Sequence, residues 1–450
     1  MKILIYVPSV PPRVKYAFRL LFRSCLKVGY QLTTDEEAYR SAAGARAAYS
    51  PAPLDEEGLW LPAGPLLWED GLRPQAPDVF RHQGLPAFFR QEAPGAAFPF
   101  DLPALVFFLA SRYEEYLPFA ADSMGRFPAA RSLAYQEGFL EQPLANQWAL
   151  RLAGMLKQRF PELPIGYPEY RFMPTYDVDL AWAYLHRPFW LNLAGTLRDL
   201  ATLRWGLVLE RWACLLGKRP DPFDTFAYLR QLHRAEGLSA LYFFLLGDYG
   251  RYDKNIPASN PALRKLVAWV ADTRQVGLHP SYRSNFDEDQ LPREVRRLKK
   301  ITGENVLRSR QHFLMLRFPE TYRRLAAQGI QEDYSMGYAD AAGFRASMAT
   351  PFPWYDLETE QLQPLTIYPF AAMDVTLHKY MALEPKQALG RLQQLCGSCR
   401  ETGGLFITLW HNSSFAERHG WSGWREIYEE ALAYARTSGN QQGRSRTMNP

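Results

Sequence analysis

The sequence predicts an α/β protein in which a smaller N-terminal α/β unit precedes a larger layered or barrel-like one, and three observations carry that prediction. At 450 residues the chain exceeds what one hydrophobic core usually serves, so two domains are expected. From about residue 170 onward, short strand-like apolar runs alternate with helix-like segments, the pattern of a sheet with helical crossovers. Several of those runs stop abruptly at Asp, Arg or His, as they would if their C-terminal ends met on one rim. A hydrophobic share of 47% with 22% charged residues fits an ordered globular chain rather than a disordered one.

Taken in order, MKILIYVPSVPP places a single Lys before a short apolar run ended by prolines. With no small-residue cleavage site it reads as a first β-strand rather than a signal peptide, which points to the cytoplasm. Up to residue 165, apolar runs are broken by PSVPP, SPAPLDEEG and LPAGPLL, as in a small α/β domain with long surface loops. Within it DLPALVFFLASRYEEYLPF and GFLEQPLANQWALRLAGMLKQRF have apolar residues at helical spacing. The prolines of PELPIGYPEYRFMP then stop the second helix and set the expected boundary: residues 1–165 form an accessory domain, 166–436 the larger unit and 437–450 a disordered tail.

Beyond the boundary, strands are expected at 172–177, 240–246, 276–279, 306–310, 329–333, 365–370 and 405–410. The stretch HRPFWLNLAGTLRDLATLRWGLVLERWACLLGKRPDP reads as a helical excursion packed on this unit, with an amphipathic helix lying on a membrane surface as the alternative. Cys396 and Cys399 form a CxxC, but a zinc ribbon needs a second pair, and this one follows a helical pattern, so its reading is structural. No apolar run approaches the ~18 residues of a membrane span. The net charge of +5 is spread too thinly for a nucleic-acid footprint.

The chemistry-bearing endings are TYDVD (Asp177, Asp179), GLHPSY (His279, Ser281, Tyr282), LRSRQH (Arg310, His312) and LWHN (Trp410, His411). Taken singly, each His is as readily a satisfied structural residue and each Asp a helix cap. The DxD spacing says more, because residues i and i+2 of a strand share a face. One carboxylate there can ligate a metal while its neighbour accepts a proton. A further segment, DYSMGYADAAGFRAS, adds Asp340 and Arg345 in a Gly-rich loop, read either as pocket-shaping or as a loop held by its own Asp340–Arg345 pair.

These motifs together resemble the polysaccharide deacetylase superfamily (carbohydrate esterase family 4 and its relatives), over roughly residues 168–436. The resemblance implies an irregular (β/α)7 barrel. Thr175–Asp179 is similar to the family's first motif, which implies Asp177 as general base and Asp179 as metal ligand; His279–Arg283 is similar to the second, which implies His279 as ligand. The segment ending in Arg310 is similar to the motif whose Arg orients the catalytic Asp, and Ile407–His411 to the last, which implies His411 as general acid. The phrases HPSY, SRQHF and LWHN also resemble a deacetylase-like subgroup with its own N-terminal domain, found in bacterial polysaccharide gene neighbourhoods. The departure is Arg283, which stands where a second metal-binding His is usual. His312, at the end of the next strand, is expected to complete an Asp–His–His set, its ring nitrogen roughly 3–4 Å from that of His279.

The implied function is a hydrolase that removes an N-acetyl group from a saccharide, with a divalent metal, zinc first and cobalt or nickel as alternatives. Ser281, Tyr282, Asp340, Arg345 and Trp410 are the expected substrate contacts. Two other readings stay open: a different C–N hydrolase on the same barrel, and a barrel that binds glycan without turnover.

Overall fold

The computed structural model describes residues 2–273 and 276–437; apart from Thr437, the expected tail lies outside them. Strands β1 (Ile3–Tyr6), β2 (Tyr30–Thr33), β3 (Arg46–Ser50) and β4 (Leu59–Pro62) form an all-parallel sheet in the order β2-β1-β3-β4. A hairpin of β5 (Phe80–His82) and β6 (Leu85–Ala87) follows. The segment expected as one helix after residue 101 forms two, Leu102–Ala110 and Tyr113–Tyr116. Asp101 caps the first by accepting from the Ala104 N–H at 2.9 Å, and Arg112, left-handed at φ 56°, separates them. Leu144–Arg159 forms the long helix that was expected next.

Nine strands make the second sheet: β7 (Arg171–Val178), β8 (Leu241–Leu245), β9 (Val276–His279), β10 (Arg308–Ser309), β11 (Glu332–Asp333), β12 (Phe352–Asp356), β13 (Gln361–Ile367), β14 (Ala372–Met373) and β15 (Leu405–His411). Their order is β12-β13-β11-β10-β9-β8-β7-β15-β14, parallel throughout except for the β12–β13 pair. Register brings the functional ends level: His411 pairs with Asp177 across β15 and β7, and His279 with Leu245 across β9 and β8.

The two-residue alternation of strand side chains divides the core. Leu241, Phe243, Leu405, Ile407 and Leu409 meet Tyr334, Phe370 and Met373 in one cluster on one side of the sheet, here called its inner side. Tyr176, Phe244, Phe406 and Trp410 face the helices within the main core.

The chain is thus a mixed α/β fold, but the closed barrel implied by the resemblance is not seen. Among the described residues the pairing runs open from β12 to β14. Strands β10, β11 and β14 are two residues long, which leaves few ladder bonds to draw the edges together. The β12 edge is instead covered by the N-terminal helix Pro12–Arg19: Tyr16 stacks on Tyr355 at 4.8 Å and donates to the Pro353 carbonyl at 2.9 Å. Strands β12 and β14 had no counterpart in the sequence reading, and the strand expected at 365–370 lies earlier, as β13. Cys396 and Cys399 are buried free thiols in the helix Pro385–Glu401. Among the described residues, no helix is long and apolar enough to cross a membrane.

Candidate metal centre

Strand β7 delivers Asp177 at its buried end and Asp179 just past it. Asp179 Oδ1 lies 3.2 Å from His279 Nε2, and Asp179 Oδ2 lies 3.8 Å from His312 Nε2 and 3.7 Å from His411 Nε2. One ligand atom from each of Asp179, His279 and His312 falls within 4.8 Å of the other two. That bound is looser than the spacing expected for the two imidazoles, and it is compatible with three ligands converging on one ion.

Each imidazole is fixed from behind. His279 Nδ1 is 2.6 Å from the Arg310 carbonyl, His312 Nδ1 is 2.8 Å from Asp253 Oδ1, and His411 Nδ1 is 2.9 Å from Asp374 Oδ1. An acceptor behind Nδ1 holds the proton there and leaves the Nε2 lone pair of a neutral ring facing the centre, the outer-shell arrangement that orients metal-bound histidines. Arg310 is fully buried; it donates to Asp177 Oδ1 at 3.0 Å and to the Tyr334 carbonyl at 2.9 Å, and stands over the Phe243 ring. Asp177 is held in one orientation, with its other oxygen 3.7 Å from His279 Nε2.

Charge follows the geometry. Burial works against an ionised Asp179, yet His312, His279 and His411 outweigh it and hold the carboxyl well below the usual range. Burial likewise opposes a charged His411, but the Asp374 carboxylate prevails and the imidazole is pushed up to about 10. His279 is also raised against burial, chiefly by Asp177 and then Asp179. Asp179 Oδ1 is buried without a hydrogen bond: His279 Nε2 lies 3.2 Å away, but in the neutral ring whose proton sits on Nδ1 it has none to donate. An orphaned carboxylate oxygen flanked by two oriented imidazoles suits a divalent cation.

The other expected site residues are placed differently. Ser281 is buried and bound by Glu294, which accepts from its N–H at 2.9 Å and its hydroxyl at 2.5 Å. Tyr282 packs among Tyr252, Phe286 and Phe313. Trp410 lies on the far face of β15, against Tyr428 and Phe415, and so cannot reach the substrate side. Arg345 is buried against Glu115 and Asp340 accepts from the Ala129 N–H at 3.2 Å, so the pair expected between them is replaced by two contacts to the N-terminal segment. Arg283 turns outward to Asp287 at 2.9 Å.

Three residues at the site went unread in the sequence. Asp253 and Asp374 orient two imidazoles, and Asp374 directly follows the short apolar run of β14, the same signal that flagged the other strand ends. Arg126, from the N-terminal segment, donates to the Phe313 carbonyl at 2.8 Å and lines, with Phe313, Leu314, Met373 and Tyr380, a cavity of ≈ 170 Å³ over the Asp and His cluster.

Among families, residues 3–161 match a family of unknown function (DUF7033). Curated proteins give no match. Among solved structures the chain is similar to a protein described as a polysaccharide deacetylase of Mycobacterium smegmatis, at 15% identity over 62% of this chain and 87% of that one, with a TM-score of 0.39. A protein described as a polysaccharide deacetylase of Pseudomonas aeruginosa is similar at 12% identity over 58% and 84%, with a TM-score of 0.36. A 4-alpha-glucanotransferase of Thermococcus litoralis is similar at 12% identity over 61% and 38%, with a TM-score of 0.34. Likeness this coarse assigns no reaction, and the chemistry must be argued from the cluster itself.

Proposed function

We propose that the protein is a metal-dependent hydrolase that removes an N-acetyl group from a saccharide, and that the chain divides near residue 165 into an accessory domain and a deacetylase-like catalytic unit spanning 166–436. The observation that carries this reading is the convergence of Asp179, His279 and His312 on one point, with an independently held Asp177 and His411 beside it. These three residues would hold the cation, which when bound supplies Lewis-acid polarisation of a carbonyl and a water of lowered pKa. Asp177, fixed by Arg310, accepts the proton of the attacking water. His411, kept protonated by Asp374, donates to the departing amine, so base and acid are two separately tuned groups. Arg126, Phe313 and Tyr380 line the cavity in which the amide would sit.

The compact cavity, ≈ 170 Å³, favours a second reading on the same residues, namely hydrolysis of a small non-sugar amide or cyclic ureide rather than of a glycan held over several units. The full chain supplemented with Zn²⁺, Co²⁺ or Ni²⁺ is to be assayed for acetate release from N-acetylated mono- and oligosaccharides, and for ring opening of cyclic ureides. Acetate release that is abolished in Asp177→Asn supports the first reading, and ureide opening without acetate supports the second. Failure on both panels by protein shown to hold metal removes both.

A further inference from the structure

The excursion between β7 and β8 folds into two helices, Phe189–Ala201 and Trp205–Leu215, whose polarity is reversed from that of a water-facing hairpin. The inward side is polar: Asn192, Thr196, Asp199, Glu210 and Arg211 are buried. Arg211 bridges the helices, donating to Asp199 Oδ2 at 2.5 Å and to Thr196 Oγ1 at 3.2 Å. The outward side is apolar: Phe189, Trp190, Leu197, Leu203, Trp205 and Leu209 are each 58–74% exposed. A helix pair in water buries its apolar stripe and exposes its charges, and contiguous exposed apolar surface of this kind marks a contact site.

The charges around the patch select what covers it. Both acids of residues 188–220, Asp199 and Glu210, are buried, whereas Arg198, Arg204, Lys218 and Arg219 are exposed. The exposed charges of the hairpin itself are therefore all basic, with Arg198 paired to Asp199 Oδ1 at 3.1 Å. A second copy packed isologously would set these like charges against one another. An anionic lipid surface would meet them with phosphate while the acyl boundary took up the leucines, and Trp190 and Trp205 would sit at the depth that amphipathic rings prefer.

We propose that this inverted hairpin is a docking surface for an anionic membrane, on which the protein sits peripherally without spanning it. The hairpin is firmly tied to the candidate site. Asp221 accepts from the N–H groups of Ala183, Tyr184 and Leu185 at 2.8–3.0 Å, Tyr184 donates to Glu210 at 3.0 Å, and Ala183 lies four residues beyond Asp179 in the sequence. Docking would thus hold the metal centre at a fixed height over the bilayer. The inference stands on the hairpin alone and does not depend on the reaction proposed above.

The test is co-sedimentation of the full chain with vesicles of phosphatidylglycerol and phosphatidylcholine, and with vesicles of phosphatidylcholine alone, at low and high salt. The expected result is binding to the anionic vesicles that weakens with salt and is poor on neutral ones. Two variants, L197S/L209S and R204Q/K218Q/R219Q, are each expected to weaken it by about tenfold or more while keeping wild-type circular dichroism, since every substituted side chain is exposed. Absence of sedimentation with either vesicle, equal binding to neutral vesicles, or binding undiminished in both variants would overturn the proposal. A wild-type dimer that L197S/L209S converts to monomer would also overturn it, assigning the face to a second copy.

Discussion

His411 and Trp410 are adjacent in sequence, yet they have opposite fates, and the reason is the pleat of β15. Leu405, Ile407, Leu409 and His411 point to the inner side, whereas Trp410 points to the helices. Alternation alone, applied to LFITLWH, places the His on the site side and the Trp on the helix side. The ligand candidates themselves were legible because each is local to one strand end. Their partners Asp253 and Asp374 were less so, since which carboxylate backs which imidazole depends on neighbours 59 and 37 residues away. Asp374 yields a prediction. Asp374 first, with Asp179 and Asp177 adding to it, raises His411 to about 10, so the protonated imidazole persists through neutral pH, and an activity that needs it falls as pH rises through that value. The stability that the pair adds runs the same way: it is complete below the unfolded value near 6.5 and lost as pH climbs through about 10. In Asp374→Asn the alkaline limb of the pH–rate profile is expected to move down by at least about one pH unit. A limb that stays in place would show that His411 is not the titrating acid. Independently, Asp179→Ala is expected to lose bound Zn²⁺, measured as metal per chain after gel filtration, while Arg283→Ala retains it because Arg283 points away.

Among the elements, the loop after β9 shows how a buried carboxyl can shape a rim without joining the chemistry. Glu294, in the helix Gln290–Thr302, accepts from Ser281 twice and from Gln290 Nε2 at 2.7 Å. Burial raises its pKa to about 7 despite these bonds. A carboxyl raised on folding favours the neutral form in the native state. Its stabilisation is therefore present below about pH 4.5 and lost as pH rises to about 7, beyond which it changes no further. The shift corresponds to roughly 3 kcal/mol. In Glu294→Gln the urea midpoint is expected to lose most of its decline between pH 4.5 and 7, and an unchanged slope would place the titration elsewhere. Ser281 looked like a substrate contact because HPSY sits at a strand end. The helix that consumes its hydroxyl follows in sequence, but nothing local says that Glu294 faces inward. The two-residue strands β10, β11 and β14 were blurred for a related reason: a pair that short leaves no period to read, and its pairing is set by longer neighbours.

Across the whole molecule, the open edge of the second sheet and the N-terminal segment explain one another. A closed barrel would leave the β12–β13 hairpin no edge on which to add. With the edge open, the helix Pro12–Arg19 covers it through Tyr16, and Arg13 bonds Glu360. A second tie is buried more deeply. Glu115 bonds Arg345 Nε at 2.8 Å and Arg112 Nε at 2.8 Å, and Arg112 donates onward to Tyr338 at 2.9 Å. Glu115 thus pairs with two arginines that have almost no access to water, with Glu114 as a second carboxylate 3.5 Å from Arg112, and burial alone would have raised the Glu115 carboxyl, yet the arginines hold it below the ordinary value. Removing one member of such a cluster strands the others, at a cost of about 3–5 kcal/mol, far more than any surface pair. Glu115→Ala is accordingly expected to lose that much in chemical denaturation, whereas Glu92→Ala, whose pair with Arg90 is exposed, changes stability by less than about 1 kcal/mol. The same contacts argue against separating the two parts of the chain. The main core includes residues from Ile3 to Ala435, and Arg126 carries the N-terminal segment to the wall of the cavity over the candidate ligands. A chain beginning at residue 166 would expose Tyr355 and leave Arg345 unpaired. It is expected to be insoluble or to lack a cooperative thermal transition, and to hold no metal even though all three candidate ligands are present. A soluble, cooperatively melting fragment that binds Zn²⁺ with full-length affinity would show that the second sheet builds its site unaided.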